Sequence, residues 1–196
     1  MLFGHYLYKS DKHTKTMIII VGAGPAGSYL GYLLAKQGKE VTIFEEHSKV
    51  GSPVQCTGIV THSIESFFKL KNEVIAKRLD KVIVVSKNNR IEVNVDEIVM
   101  WRDKFDIFVA EMAIDGGVKI LLNHQFIGFD GKNTIKVKDK KNNKIKELKA
   151  DAIIGADGPY SSVAKAAGMN SASTNYIGMQ AKVKLDMGTT AFETYF

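Results

Sequence analysis

The chain has 196 residues, of which 45% are hydrophobic and 24% charged, with 17 Gly and 3 Pro; this is an ordinary globular composition and excludes disordered, collagen-like and low-complexity chains. Lys+Arg 27 against Asp+Glu 21 leaves a net charge of +6, which favours phosphate-bearing ligands or an anionic membrane surface without implying nucleic acid. The single cysteine, Cys56, excludes an internal disulfide and a cysteine-built metal cluster, so a reducing, cytoplasmic compartment is expected.

Residues 1–16 place aromatic residues before charges, the reverse of a secretory signal, and read as a disordered extension. No apolar run approaches the roughly 20 residues of a membrane-spanning helix. Met17–Val21 is a short, β-branched, apolar run ending at Gly22, as expected of a strand buried on both faces. Pro25 and the run Ala26–Gln37 predict a helix closed by Gly38, and Val41–Phe44 a second strand, so the opening is a βαβ unit. Residues 48–61 hold Gly51, Pro53, Cys56 and Gly58 and read as a functional loop.

Residues 61–79 read as helical, 81–85 and 90–95 as strands, and 102–115 as a helix with Phe105, Phe108, Val109 and Met112 on one face. Residues 118–122 and 125–129 are predicted strands, and 134–137 with 144–148 a hairpin around Asn142–Asn143. The lysines from Lys136 to Lys149 read as a solvated face rather than a phosphate or membrane patch. Residues 151–155 form a further strand before Asp157–Gly158 and a helix over 161–167, and residues 176–196 alternate as strands do.

The fold class expected is α/β: a Rossmann-like domain over 17–170 with a parallel sheet and an inserted β-hairpin, and over 171–196 the start of an incomplete, mixed substrate-binding sheet. Gly22-Ala-Gly24-Pro-Ala26-Gly27 is G-x-G-x-x-G between a strand and a helix. There the first glycine makes the tight turn, the second admits a pyrophosphate to the backbone, and the third lets helix and strand pack closely. Glu45 ends the second strand, where a carboxylate accepts hydrogen bonds from ribose hydroxyls and repels a 2′-phosphate, so FAD or NAD is expected rather than NADP. Glu46 should point away. His62 and His124 read as isolated, so neither a metal nor a catalytic role is assigned to them.

The strand leading into Asp157-Gly158-Pro-Tyr-Ser161 resembles the D-G segment of FAD-dependent reductases and hydroxylases of the para-hydroxybenzoate hydroxylase type. The family's arginine after the serine is Ala164 here. Val50-Gly-Ser-Pro53-Val-Gln-Cys56-Thr57-Gly58 and Trp101-Arg102-Asp-Lys-Phe105-Asp106 are similar to the P-V-x-C segment and R-x-x-F-D helix start of the geranylgeranyl reductase family. The family's Cys-Ala/Gly-Glu-Gly is Cys56-Thr57-Gly58-Ile59 here. The resemblance implies FAD bound by Gly22, Gly24, Ala26, Gly27, Glu45, Cys56, Thr57, Gly58, Arg102, Asp157 and Gly158, with the backbone at Phe126 against the adenine.

Cys56 is the catalytic candidate, with a plain structural cysteine as the alternative. Arg102 either contacts FAD phosphate or ribose or pairs with Asp106 at i,i+4. The implied activity is reduction of prenyl C=C bonds of isoprenoid lipids by FADH₂, with electrons from NAD(P)H or a ferredoxin-like donor. The expected partners are a geranylgeranyl lipid, a C-terminal half on a separate chain and the membrane periphery, with no nucleic acid. A hydroxylase or halogenase-like monooxygenase of the same fold, or a non-catalytic FAD-binding subunit, are the other readings.

Overall fold

In the computed structural model the described residues are 17–169, 177–181, 183–184 and 190–196; the predicted extension over 1–16 lies outside them, as do 176, 182 and 185–189 of the alternating segment, whose described residues 177–181 and 183–184 form no strand although alternation predicts one. Met17–Val21 (β1), Pro25–Lys36 (α1) and Glu40–Glu45 (β2) form the predicted βαβ unit. Lys119–Leu122 (β6) and Ala152–Gly155 (β10) complete a parallel sheet in the order β10-β1-β2-β6. The apolar runs are continuous because both faces are covered. Ile19 and Val21 of β1 join Phe44 of β2 in one cluster, whereas Ile18 and Ile20 join Val41 and Ile43 in another.

The second of these clusters includes Leu30 and Leu34 of α1 and Ala113 of Arg102–Asp115 (α2). The first includes Phe126, Ile135 and Val137. These belong to the antiparallel sheet of His124–Phe129 (β7), Thr134–Asp139 (β8) and Lys144–Lys149 (β9), in the order β7-β8-β9. The parallel sheet is thus sandwiched between two helices and a three-stranded sheet. Fully burying an Ile or Phe side chain contributes about 1.5–3 kcal/mol, and Ile19, Ile20, Ile43 and Phe44 are all 0–1% exposed. The predicted hairpin is β8–β9, with Asn143 at φ 59° in its turn.

A mixed sheet stands beside this core. It runs β11-β4-β5-β3, from Ala191–Tyr195 (β11), Ile75–Val85 (β4), Arg90–Met100 (β5) and Ile59–Thr61 (β3). The helix predicted over 61–79 does not form. That segment is β3, two short 3₁₀ turns at His62–Ser66 and Asn72–Val74, and the first half of β4. Ile64 and Phe68 have helical spacing but pack against Ile98 and Phe105, and Ile75 to Leu79 pair with Met100 to Glu97 of β5. Ladder bonds and packing to residues distant in sequence outweigh local periodicity here. Among the described residues no helix is long and apolar enough to cross a membrane.

Candidate functional site

The turn after β1 is held by backbone proximity that only glycine permits. Gly22 has φ 103° and donates its N–H to Phe44 O at 2.8 Å. A Cβ on Gly22 would lie 2.4 Å from Ala156 O, and one on Gly27 would lie 2.1 Å from Gly22 O. The G-x-G-x-x-G turn and the D-G segment therefore touch, although most of the chain separates them. A Cβ on Gly24 would meet nothing within 4 Å, so the chain is bare on that side and a ligand can reach the backbone. Helix α1 starts there with no side-chain cap and no acid in its first turn, which leaves its N–H groups and positive dipole end for an anion. Ala26 is exposed in that turn. These features fit a pyrophosphate.

Glu45 lies under the same turn. Its Oε2 accepts the Ala23 N–H at 2.9 Å, and its Oε1 accepts the His47 N–H at 2.9 Å and lies 2.7 Å from His47 Nδ1. Glu45 is 9% exposed, whereas Glu46 is exposed. Each carboxylate oxygen retains further acceptor capacity, so a ribose hydroxyl can be added to this arrangement. His47 escaped the sequence reading; its signal is a polar ring two residues beyond the strand-end acid.

The loop carrying Cys56 is seated on the start of α2 by two more glycines. A Cβ on Gly51 would lie 2.8 Å from Asp103 O, and one on Gly58 would lie 2.5 Å from Met100 O and 3.1 Å from Arg102 Cγ. Cys56 and Thr57 are exposed, and Cys56 Sγ accepts the Gly58 N–H at 3.4 Å. Arg102 grips Asp106 with Nε at 2.9 Å and a terminal nitrogen at 3.2 Å. Burial opposes the guanidinium charge, but the Asp106 hydrogen bonds and a smaller contribution from Cys56 outweigh it, so the pKa is raised above the ordinary arginine value. Of the two roles open to Arg102, the i,i+4 pair is formed, and its side chain lies beside the Cys56 loop, with Cγ 3.1 Å from where a Cβ on Gly58 would stand. Asp106→Asn should lower stability by about 1 kcal/mol in urea titration, because hydrogen bonds to charged groups are worth about 1.5–3 kcal/mol and Asn retains part of the geometry. Arg102→Lys should not substitute for the bidentate fork.

In the D-G segment Asp157 Oδ1 accepts from Ser161 Oγ at 2.6 Å and Oδ2 accepts the Val163 N–H at 3.1 Å, while Ser161 Oγ accepts the Ala164 N–H at 2.9 Å. Asp157 and Ser161 together cap Ser162–Ala166 (α3), and Gly158 is left-handed at φ 83°. Asp157→Ala should cost about 1 kcal/mol through the lost cap, read as a fall in the thermal midpoint.

Phe126 packs in one cluster with Val21, next to the glycine turn, and Val163 of α3. Its side chain is 5% exposed and packs 5.1 Å from Phe129 beneath the parallel sheet, so the side chain is a core element and only its backbone is open to a ligand role. His62, read as isolated, has Nδ1 3.3 Å from carboxylate oxygens of both Glu65 and Asp96. Asp96 is brought there by β3–β5 pairing, which sequence spacing does not reveal. His124 Nδ1 lies 2.8 Å from Leu122 O.

The FAD binding domain family matches residues 15–194. An uncharacterised protein in the nifH2 5′ region of Methanosarcina barkeri is 31% identical over 165 residues, covering 78% of this chain and 87% of that protein. Digeranylgeranylglycerophospholipid reductase 2 of Methanopyrus kandleri is 30% identical over 157 residues, 78% of this chain and 40% of the reductase. The chain thus spans about two fifths of that reductase's length. Among solved structures, a geranylgeranyl bacteriochlorophyll reductase-like protein of Thermoplasma acidophilum superposes with TM-score 0.77 at 23% identity, over 92% of this chain and 50% of its own, which establishes the shared fold. The chain therefore belongs to the FAD-binding domain family and is related to the digeranylgeranylglycerophospholipid reductases.

Proposed function

We propose that this chain is the FAD-binding part of a reductase that saturates prenyl C=C bonds of isoprenoid lipids. The observation that supports it most is the contact of the glycine turn with the D-G segment over Glu45, in a chain 30% identical to a digeranylgeranylglycerophospholipid reductase. FAD, when bound and reduced, would supply a hydride to one alkene carbon, and a proton drawn from water would add to the other. In this reading the N–H groups around Gly22, Gly24, Ala26 and Gly27 hold the pyrophosphate, and Glu45, oriented by His47, holds the ribose. Asp157 and Gly158 shape the opposite wall, and the backbone at Phe126 meets the adenine.

The loop of Cys56, Thr57 and Gly58, exposed at Cys56 and Thr57 and buried at Gly58, borders the ring system, with Arg102 and Asp106 as its anchor. In this reading exposed Cys56 is the group of this chain that meets the reacting atoms. The remainder of the substrate site comes from the rest of the enzyme, whether attached or on a separate chain, and electrons come from NAD(P)H or a ferredoxin-like donor. A membrane lipid as substrate implies work at the membrane periphery.

The test is to titrate FAD into the purified chain. Stoichiometric yellow retention supports the reading, and a folded chain that retains no flavin overturns it. With chemically reduced FAD and a geranylgeranylated lipid in detergent, mass spectrometry should show two hydrogens added per reduced bond once the remainder of the enzyme is supplied. Cys56→Ser should slow that step while leaving flavin retention intact.

A further inference from the structure

We propose that the outward face of the β7–β9 sheet docks on an anionic lipid surface; the choice of a lipid surface rests on the reading that the substrate is a membrane lipid. Phe126, Ile135 and Val137 point into the core, so strand alternation turns Lys136 and Lys138 outward, together with the residues opposite them, Glu147 and Ile145 of β9 and Gln125 of β7. From His124 to Lys149 eight lysines stand against three carboxylates, a local charge of +5 in a chain of +6. The basic charge of this protein is therefore concentrated in one small sheet and its turns: Lys136, Lys138 and Lys149 share the outward register, Lys140 and Lys141 stand in the β8–β9 turn, and Lys144 and Lys146 fall in the opposite register.

The carboxylates do not neutralise it. Asp130 and Glu147 both sit on Lys136, at 3.1 and 3.6 Å. Asp139 is turned onto the Lys141 N–H and Asn142, which holds the β8–β9 turn and lowers its pKa below the ordinary carboxylate value. Among the lysines are two exposed apolar side chains, Ile145 at 59% and Ile127 at 43%. Ile145 stands directly opposite Lys138, and Ile127 lies at the bulge beside the partner of Lys136.

Aliphatic side chains among long cations suit the boundary of headgroups and acyl chains, where ammonium groups reach phosphates and the apolar groups leave water. A nucleic-acid surface would instead offer outward aromatic rings or arginine forks. This sheet has no arginine, and its Phe126 and Phe129 pack in the interior cluster. Lys140 donates its N–H to Asn123 O at 2.8 Å, and Asn123 donates to His47 O at 3.0 Å. The lysine turn therefore lies at the same end of the molecule as Glu45, so docking brings that end to the lipid.

The test is flotation of the FAD-loaded full chain with phosphatidylcholine vesicles, with and without phosphatidylglycerol. Binding should require phosphatidylglycerol and weaken with added salt. The combined change Lys138→Glu, Lys140→Glu, Lys141→Glu should lower the partition coefficient on the order of 100-fold with the circular dichroism spectrum unchanged. Lys140→Glu with Lys141→Glu, confined to the exposed turn, serves if the triple variant does not fold. Ile145→Ser should weaken binding several-fold at fixed charge.

Equal binding to neutral vesicles, a charge-reversed chain that partitions like the parent, or preference for an oligonucleotide over anionic vesicles would each overturn the proposal. Flavin retention and prenyl reduction in detergent, read on the same samples, separate it from the functional reading. If these persist while vesicle binding fails, only the docking surface is wrong.

Discussion

Gly27→Ala is expected to prevent stable folding, whereas Gly24→Ala is expected to leave a folded chain that no longer retains FAD. The added carbon at position 27 would lie 2.1 Å from Gly22 O and 3.1 Å from Ala156 Cβ. The first neighbour is backbone and cannot swing aside. Helix α1 would have to move off β1, which loosens its packing with Val41 and Ile43 and separates the glycine turn from the D-G segment. Overpacking typically costs about 1–3 kcal/mol and occasionally more; a backbone clash this close belongs at the upper end, a large share of the roughly 5–15 kcal/mol that holds a domain together. At position 24 the new methyl group meets no protein atom within 4 Å, so chemical denaturation should match the parent. The methyl group would stand where the pyrophosphate has to approach the backbone, and FAD affinity should fall at least tenfold by flavin fluorescence. A Gly24→Ala chain that binds FAD like the parent would show that the phosphates do not approach there.

Glu45→Ala should weaken FAD binding about 100-fold and also destabilise the chain without flavin. Two kinds of partner depend on this side chain. The Ala23 N–H is buried and loses its acceptor at 2.9 Å, and the His47 N–H and ring lose theirs at 2.9 and 2.7 Å. A buried donor left unpaired costs about 1–3 kcal/mol, and a hydrogen bond to a charged group contributes about 1.5–3 kcal/mol. The ribose hydroxyls would lose an ionised acceptor of that kind, which corresponds to the predicted change in Kd. Glu45→Gln keeps one carbonyl oxygen, so it should retain more stability than Glu45→Ala while still losing much of the affinity. Isothermal titration with FAD and urea unfolding of the same three proteins would separate the two effects. Equal FAD affinity in all three would show that Glu45 serves only the turn.

Local patterns made the nucleotide half of the fold legible. The run Met17–Val21, the glycines after it, the helix start at Pro25 and the acid at Glu45 occur within a short span in which strand, turn and helix succeed one another. Arg102–Asp115 was readable for the same reason, although Asp106 is buried on the helix face that periodicity assigns to apolar groups. It is tolerated there because Arg102 supplies two hydrogen bonds. The segment after Thr61 reads as a helix because the spacing of Ile64 and Phe68 satisfies one turn, while the competing ladder from Ile75 to Leu79 lies 18 to 25 residues away in β5. The second sheet draws β4 and β5 together with β11 from the far end of the chain, a pairing no local window contains.

By itself the sequence determined the elements whose information is local: the parallel-sheet strands with both faces apolar, the glycine turn, the strand-end acid and the Asn142–Asn143 hairpin. Only the tertiary structure decided which of those pieces meet. It set the Ala156 carbonyl against Gly22, turned Glu45 onto the Ala23 N–H and His47, committed Arg102 to Asp106 beneath the Cys56 loop, and set Ile145 beside Lys138 on the outward side of the β7–β9 sheet. The reason is physical: hydrogen bonding within a turn or helix depends on neighbours a few residues away, whereas close backbone approach and burial depend on which distant segments the core brings together.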